Sequence, residues 1–86
     1  MTPEPRDIRI RRLAMRSKRR GIREMDLILS AYADRHLGAM SDPALDLFES
    51  LLNESDPDLL QWVTGQSQAP DHYAGLIGDI SQTFQS

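Results

Sequence analysis

Cysteine is absent from this 86-residue chain, which removes disulfide staples, thiolate nucleophiles and cysteine-based zinc sites at a stroke. No apolar run approaches the roughly 20 residues needed to cross a bilayer. The opening stretch MTPEPRDIRIRR has no apolar centre of the kind a secretory signal needs. A soluble intracellular protein with no membrane partner is the expectation. Aromatic residues are scarce: one Trp, two Tyr and two Phe. Only two histidines are present, His36 and His72, and neither has metal-ligand spacing to the other or to a carboxylate set. No carboxylate pair brackets a pocket, and no glycine-rich phosphate loop follows a strand. Neither a catalytic residue nor a metal ligand can be named.

Charge of one sign is missing from each part of the chain. Residues 1–23 hold nine of the ten basic residues and only two acidic ones, Glu4 and Asp7. Residues 24–86 hold eleven acidic residues and one basic, Arg35. A net charge of −3 thus conceals +7 followed by −10, a split that steers a partner's approach and orientation.

What is there has the helical period throughout. Residues 1–6 read as a flexible N-terminus and 7–86 as a single helical domain. From about 7 to 19, Ile10, Leu13 and Ala14 make a narrow apolar stripe on a basic helix. Met25, Ile28, Leu29, Tyr32, Ala33 and Leu37 make a stronger second stripe, with Gly38 placed as its C′ residue. Ser41-Asp42-Pro43 caps a third helix bearing Leu45, Phe48, Leu51 and Leu52. Asp56-Pro57-Asp58 repeats the device for a short fourth helix with Leu59, Leu60, Trp62 and Val63, stopped by Gly65. Asp56 and Asp58 are read as capping residues, and Trp62 as core. The fifth helix, from about 71 to 84, aligns Tyr73, Leu76, Ile77, Ile80 and Phe84, although Gly75 and Gly78 weaken it by roughly 1 kcal/mol each. The expectation is all-α: a small five-helix bundle.

One stretch, RRGIREMD at residues 19–26, asks for more than a turn. Gly21 falls where the first two helices meet. Arg16, Lys18, Arg19 and Arg20 crowd the end of one helix, and Glu24 and Asp26 open the next, each sign at its favoured pole. A helix corner with Gly21 at positive φ accounts for the glycine. It does not account for the density of charge, since exposed ion pairs contribute only about 0–1 kcal/mol. A residue without a side chain inside a charged rim lets another backbone approach closely.

These residues resemble the succinate dehydrogenase assembly factor 2 family, the flavinators. Its R-G-x-x-E hallmark is matched by Arg20, Gly21, Ile22, Arg23 and Glu24, preceded by the basic approach from Arg12 to Arg19 and followed by Met25-Asp26-Leu27. Its D-P-D-L-x-x-W signature is matched by Asp56-Pro57-Asp58-Leu59-Leu60-Gln61-Trp62. The resemblance covers roughly residues 8–80. It departs in the approach to the motif, where many members carry an aromatic and this chain has Leu13, Ala14 and Met15.

The resemblance implies a five-helix bundle that promotes covalent attachment of FAD to a histidine of the flavoprotein subunit of succinate dehydrogenase and, in some bacteria, of fumarate reductase. It implies a non-catalytic assembly factor that binds this subunit and holds it where the bond forms. FAD then belongs to the partner, and no tightly bound cofactor is expected here. Arg20, Gly21 and Glu24 become the docking core, with Arg16, Arg19, Arg23 and Asp26 flanking it. Gly21 would permit close approach while Arg20 and Glu24 make charge-assisted hydrogen bonds across the interface. A monomer in isolation is expected.

The alternative is a small nucleic-acid-binding or regulatory protein using the basic first helix. Against it, no aromatic interleaves that helix for base stacking, and the acidic remainder repels a polyanion. An organellar presequence is a second alternative, the segment being Arg-rich and poor in acids, but the motif begins at residue 20 and is expected to leave no room for one before a complete domain. A bacterial cytoplasmic protein is therefore the expected setting.

Overall fold

Two serines decide where the third and fourth helices begin. Ser41 Oγ accepts from the Ala44 N–H at 3.3 Å and Ser55 Oγ from the Asp58 N–H at 3.4 Å, each just ahead of a proline in the first turn. Ser55, not Asp56, is thus the cap of the fourth helix, and the Asp56 carboxylate is left for another use. The structure, a computed structural model, describes residues 4–85. Its helices are α1 (Arg6–Arg16), α2 (Arg23–His36), α3 (Asp42–Leu51), α4 (Asp56–Thr64) and α5 (Asp71–Gln85), with a 3-10 turn at Leu37–Ala39. No strand occurs among the described residues, and the all-α five-helix class expected from the periodicity is the class observed.

The core gathers around α2. Met25, Ile28, Leu29, Tyr32 and Ala33 are buried there, against Leu45, Phe48 and Leu51 of α3, Leu59 and Val63 of α4, and Tyr73, Leu76, Ile77 and Ile80 of α5. Trp62 is partly buried, its ring centroid 5.9 Å from that of Tyr73. The Tyr73 hydroxyl meets Ser50 Oγ at 2.8 Å and donates to Glu54 at 3.1 Å, which ties α5 to the α3–α4 corner. His36 lies against Tyr32 with centroids 4.5 Å apart, and its Nε2 is 3.3 Å from Thr83 Oγ1.

Four expectations need correction. Helix α1 stops at Arg16, not Arg19, because Ser17 is fully buried and turns its Oγ back to the Leu13 carbonyl at 2.8 Å. Gly38 does not take the left-handed conformation; it lies inside the 3-10 turn, and among the described residues only Gly65 is a positive-φ glycine. Gly65, at φ 80°, does stop α4 as expected. Phe84, read as part of the buried face of α5, is 54% exposed. The flexible segment expected at 1–6 falls partly outside the described residues, at 1–3; Arg6 opens α1 and Glu4 pairs with Arg12 at 2.9 Å.

Helix α1 is attached to the body by a narrow apolar seam and a row of charge pairs. Leu13 is its one fully buried apolar side chain, with Ile10 and Ala14 packed partly against the core. Along its flank, Arg6 pairs with Asp42 at 3.2 Å, Arg9 with Asp46 at 2.5 Å and Glu49 at 3.1 Å, and Arg12 with Glu49 at 3.0 Å. Arg16 donates to Asn53 at 2.7 Å. Spacings of three and four residues put these arginines on one helical face, which lies on α3. The +7 segment is thus not a free electropositive field. Much of its charge is spent on the acidic helix of the same chain.

Candidate functional site

The corner between α1 and α2 is built from residues 17–22. Its left-handed residue is Arg19, at φ 57°, and not Gly21 as the sequence suggested. A non-glycine residue in that region is strained, and here the conformation is secured from both sides. The Arg19 N–H donates to Asp26 Oδ2 at 2.9 Å, and Ser30 Oγ lies 3.3 Å from the other Asp26 oxygen. Asp26 is therefore an internal strut of the corner.

Gly21 has a different reason to be glycine. Its N–H donates to Asp56 Oδ2 at 2.5 Å, and a Cβ built on it would stand 3.2 Å from the same oxygen. The close approach expected at this glycine was that of a partner's backbone; the group that stands against it here is a carboxylate of the same chain. The other Asp56 oxygen receives Arg20 Nε at 2.7 Å. Arg20 also donates from Nη1 to the Leu52 carbonyl at 3.0 Å and from Nη2 to the Glu54 carbonyl at 3.1 Å. The side chains of Arg20 and Asp56 are only 13% and 12% exposed. A charge-assisted, multiply donating arginine of this kind binds strongly. Arg20 is thus committed to the α3–α4 corner.

The seven residues singled out from the sequence therefore divide. Arg16, Arg20 and Asp26 are partly buried and bonded within the chain, and Gly21, though exposed, gives its N–H to Asp56. Arg19, Arg23 and Glu24 are exposed. Among the described residues neither Arg23 nor Glu24 meets a hydrogen-bonding or ionic partner. These two open α2 directly behind the anchored corner. The same face of α2 continues into Leu27, 62% exposed, and with Phe84 from α5 it frames a shallow cleft of about 230 Å3 lined also by Glu24, Ile28 and Ala31. Two residues of this site were missed from sequence. Asp56 was assigned to a cap because acid-Pro-acid at a helix start ordinarily is one. Leu27 fell outside the apolar stripe of α2, and that very mismatch was the available signal.

A family model described as flavinator of succinate dehydrogenase matches residues 11–84. Curated relatives agree. The chain is 47% identical over 77 residues to a mitochondrial succinate dehydrogenase assembly factor 2 of Schizosaccharomyces japonicus, covering 87% of this chain and 54% of that protein. The match to its Saccharomyces cerevisiae counterpart is 42% over 76 residues, covering 85% and 47%. That to the Danio rerio counterpart is 34% over 83 residues, covering 94% and 52%. The chain spans about half the length of the curated relatives it matches. These relatives are eukaryotic and mitochondrial by name, and they overturn the expectation of a bacterial cytoplasmic protein. The little room ahead of residue 20, which weighed against an organellar protein, does not discriminate when the relatives are nearly twice as long. With the family model matching residues 11–84, from the first helix to the last, the chain belongs to the family of succinate dehydrogenase flavinators.

Proposed function

We propose that this chain is a non-catalytic assembly factor that docks on the flavoprotein subunit of succinate dehydrogenase and promotes its covalent flavinylation, with FAD held by the partner. The observation that carries the proposal is the outward pair Arg23–Glu24. Both are charged and exposed with no partner among the described residues, immediately behind a corner fixed by Arg20, Gly21 and Asp56. A fixed backbone presenting free charges suits orientation-specific docking, because complementary charges set register while rigidity limits the ordering cost. Arg19 adds a third exposed charge, and Leu27 with Phe84 offers adjoining apolar surface. Arg20, turned inward, supports the docking edge from behind, and Gly21, exposed in the corner, keeps its N–H on Asp56.

The rival use of the basic first helix for nucleic acid finds less support. Arg6, Arg9 and Arg12 are paired with carboxylates of the same chain, so few of the helix's charges remain to release counterions from a phosphate backbone.

The test is a flavin-fluorescence gel of the denatured flavoprotein subunit, expressed with the wild-type chain, with Glu24→Ala or Gly21→Arg, or without any of them. Covalent flavin is expected to fall without the chain and to stay low with either variant. Unchanged covalent flavin in every lane would remove the assignment. The flavoprotein of fumarate reductase enters the same assay as a second client. Sedimentation of the isolated chain checks the monomer proposed for it.

A further inference from the structure

We infer that Asp56 is a positioning residue for docking: its two carboxylate oxygens hold Arg20 and Gly21 so that α2 starts with Arg23 and Glu24 facing the client. The inference rests on the docking role proposed above. Four observations support it. Asp56 is free of capping duty, since Ser55 caps α4. Its oxygens are divided between Arg20 Nε at 2.7 Å and the Gly21 N–H at 2.5 Å, so one side chain fixes two consecutive residues of the corner. The carboxylate occupies the space in front of Gly21, with 3.2 Å left to a Cβ. Finally, Ile22 precedes α2 in an extended conformation and packs partly against the core, but no side chain caps the free N–H groups at the start of α2. Asp26, reaching back to the Arg19 N–H, holds the corner from the α2 side, and Asp56 holds it from α4.

The two words R-G-x-x-E and D-P-D, 35 residues apart at Gly21 and Asp56, are on this account one device. The first presents the contact charges, and the opening aspartate of the second sets the backbone that carries them. Loss of the carboxylate leaves the corner with several conformations. Apparent affinity then falls in proportion to the docking-competent fraction, while the contacts made once docked are unchanged. The signature of positioning is therefore weaker binding together with lost protection at the Gly21 amide, which removal of a contact charge such as Glu24 leaves in place.

Asp56→Ala, Asp56→Asn, Arg20→Ala, the Asp56→Ala/Arg20→Ala double variant and Glu24→Ala would each be titrated against the purified flavoprotein subunit. Folding of each would be checked by circular dichroism and the Gly21 amide followed by hydrogen exchange. Both Asp56 variants are expected to lose protection at Gly21 and to bind at least tenfold more weakly, with covalent flavin recovering at saturating protein. The double variant should bind no more weakly than the poorer single variant, because the two residues act as one unit. If a folded Asp56 variant binds like wild type while Glu24→Ala binds weakly, the positioning role fails and the docking site stands. If Glu24→Ala binds like wild type, the docking site fails and the positioning role with it. Should Asp56→Ala not fold, Asp56→Asn keeps the side-chain volume and carries the same comparison; loss of folding in both would make Asp56 a stability residue and overturn the inference.

Discussion

At the scale of single residues, the corner shows how one carboxylate can explain three anomalies. A glycine without positive φ and an aspartate beside a helix start that it does not cap both resolve at Asp56, and so does one of the three inward donors of Arg20, the other two ending on the Leu52 and Glu54 carbonyls. Arg20→Ala is expected to destabilise the fold by about 2–3 kcal/mol, since it removes hydrogen bonds to a largely buried charge and leaves two carbonyls and a carboxylate short of a donor. Gly21→Ala should cost about 1 kcal/mol, because the carboxylate has only to withdraw slightly from a Cβ at 3.2 Å. Gly21→Arg should cost more, having no such remedy. Urea denaturation with an unchanged slope checks all three. A stability loss for Gly21→Ala as large as that for Gly21→Arg would point to strain at φ, which the backbone does not have.

Among the elements, α1 is the one whose attachment depends on pH. The Arg12 guanidinium, aided by Arg9, holds the Glu49 carboxyl below its ordinary value of 4.5. Glu4 is lowered in the same direction by Arg12. A carboxyl depressed in the folded state stabilises the fold fully above its ordinary value, and that stabilisation is lost as pH falls through the lower, folded-state value. Wild-type stability should therefore drop below about pH 4.5 more steeply than that of Glu49→Gln. The comparison is made by urea midpoints from neutral pH downward. Parallel curves for the two proteins would mean that Glu49 contributes no pH-linked attachment. Apolar burial on this element does not vary with pH: Leu13, its one fully enclosed side chain, contributes about 1.5–3 kcal/mol throughout, with Ile10 and Ala14 partly packed beside it.

For the molecule as a whole, measuring 41 by 25 by 24 Å, the question is which surface is left over once the internal pairs are made. Among what remains are the charged edge of Arg19, Arg23 and Glu24, proposed above for docking, and the cleft between Leu27 and Phe84. Leu27→Glu is expected to change stability by no more than about 0.5 kcal/mol, as befits an exposed site. It should weaken binding to the flavoprotein subunit tenfold or more if the cleft lies within the docked surface. Equal affinity of Leu27→Glu and wild type, measured by titration, would restrict docking to the charged edge.

Much of the fold was legible without coordinates, because helical periodicity, prolines in first turns and the Gly65 stop are local signals that neighbours three or four residues away suffice to write. The stripe Met25-Ile28-Leu29-Tyr32-Ala33 is the buried face of α2, as its spacing demanded. The charged words around Gly21 and Asp56 were equally visible. Their partners were not. Whether Arg20 faces a client or the α3–α4 corner depends on bringing residue 20 to residue 56, a contact that no periodicity encodes. The same holds for the basic first helix, which as a string is a cationic arm and in the fold is neutralised along α3. Sequence determined which segments are helices and which residues carry charge; only tertiary packing decided which charges are satisfied within the chain and which are left to meet a partner.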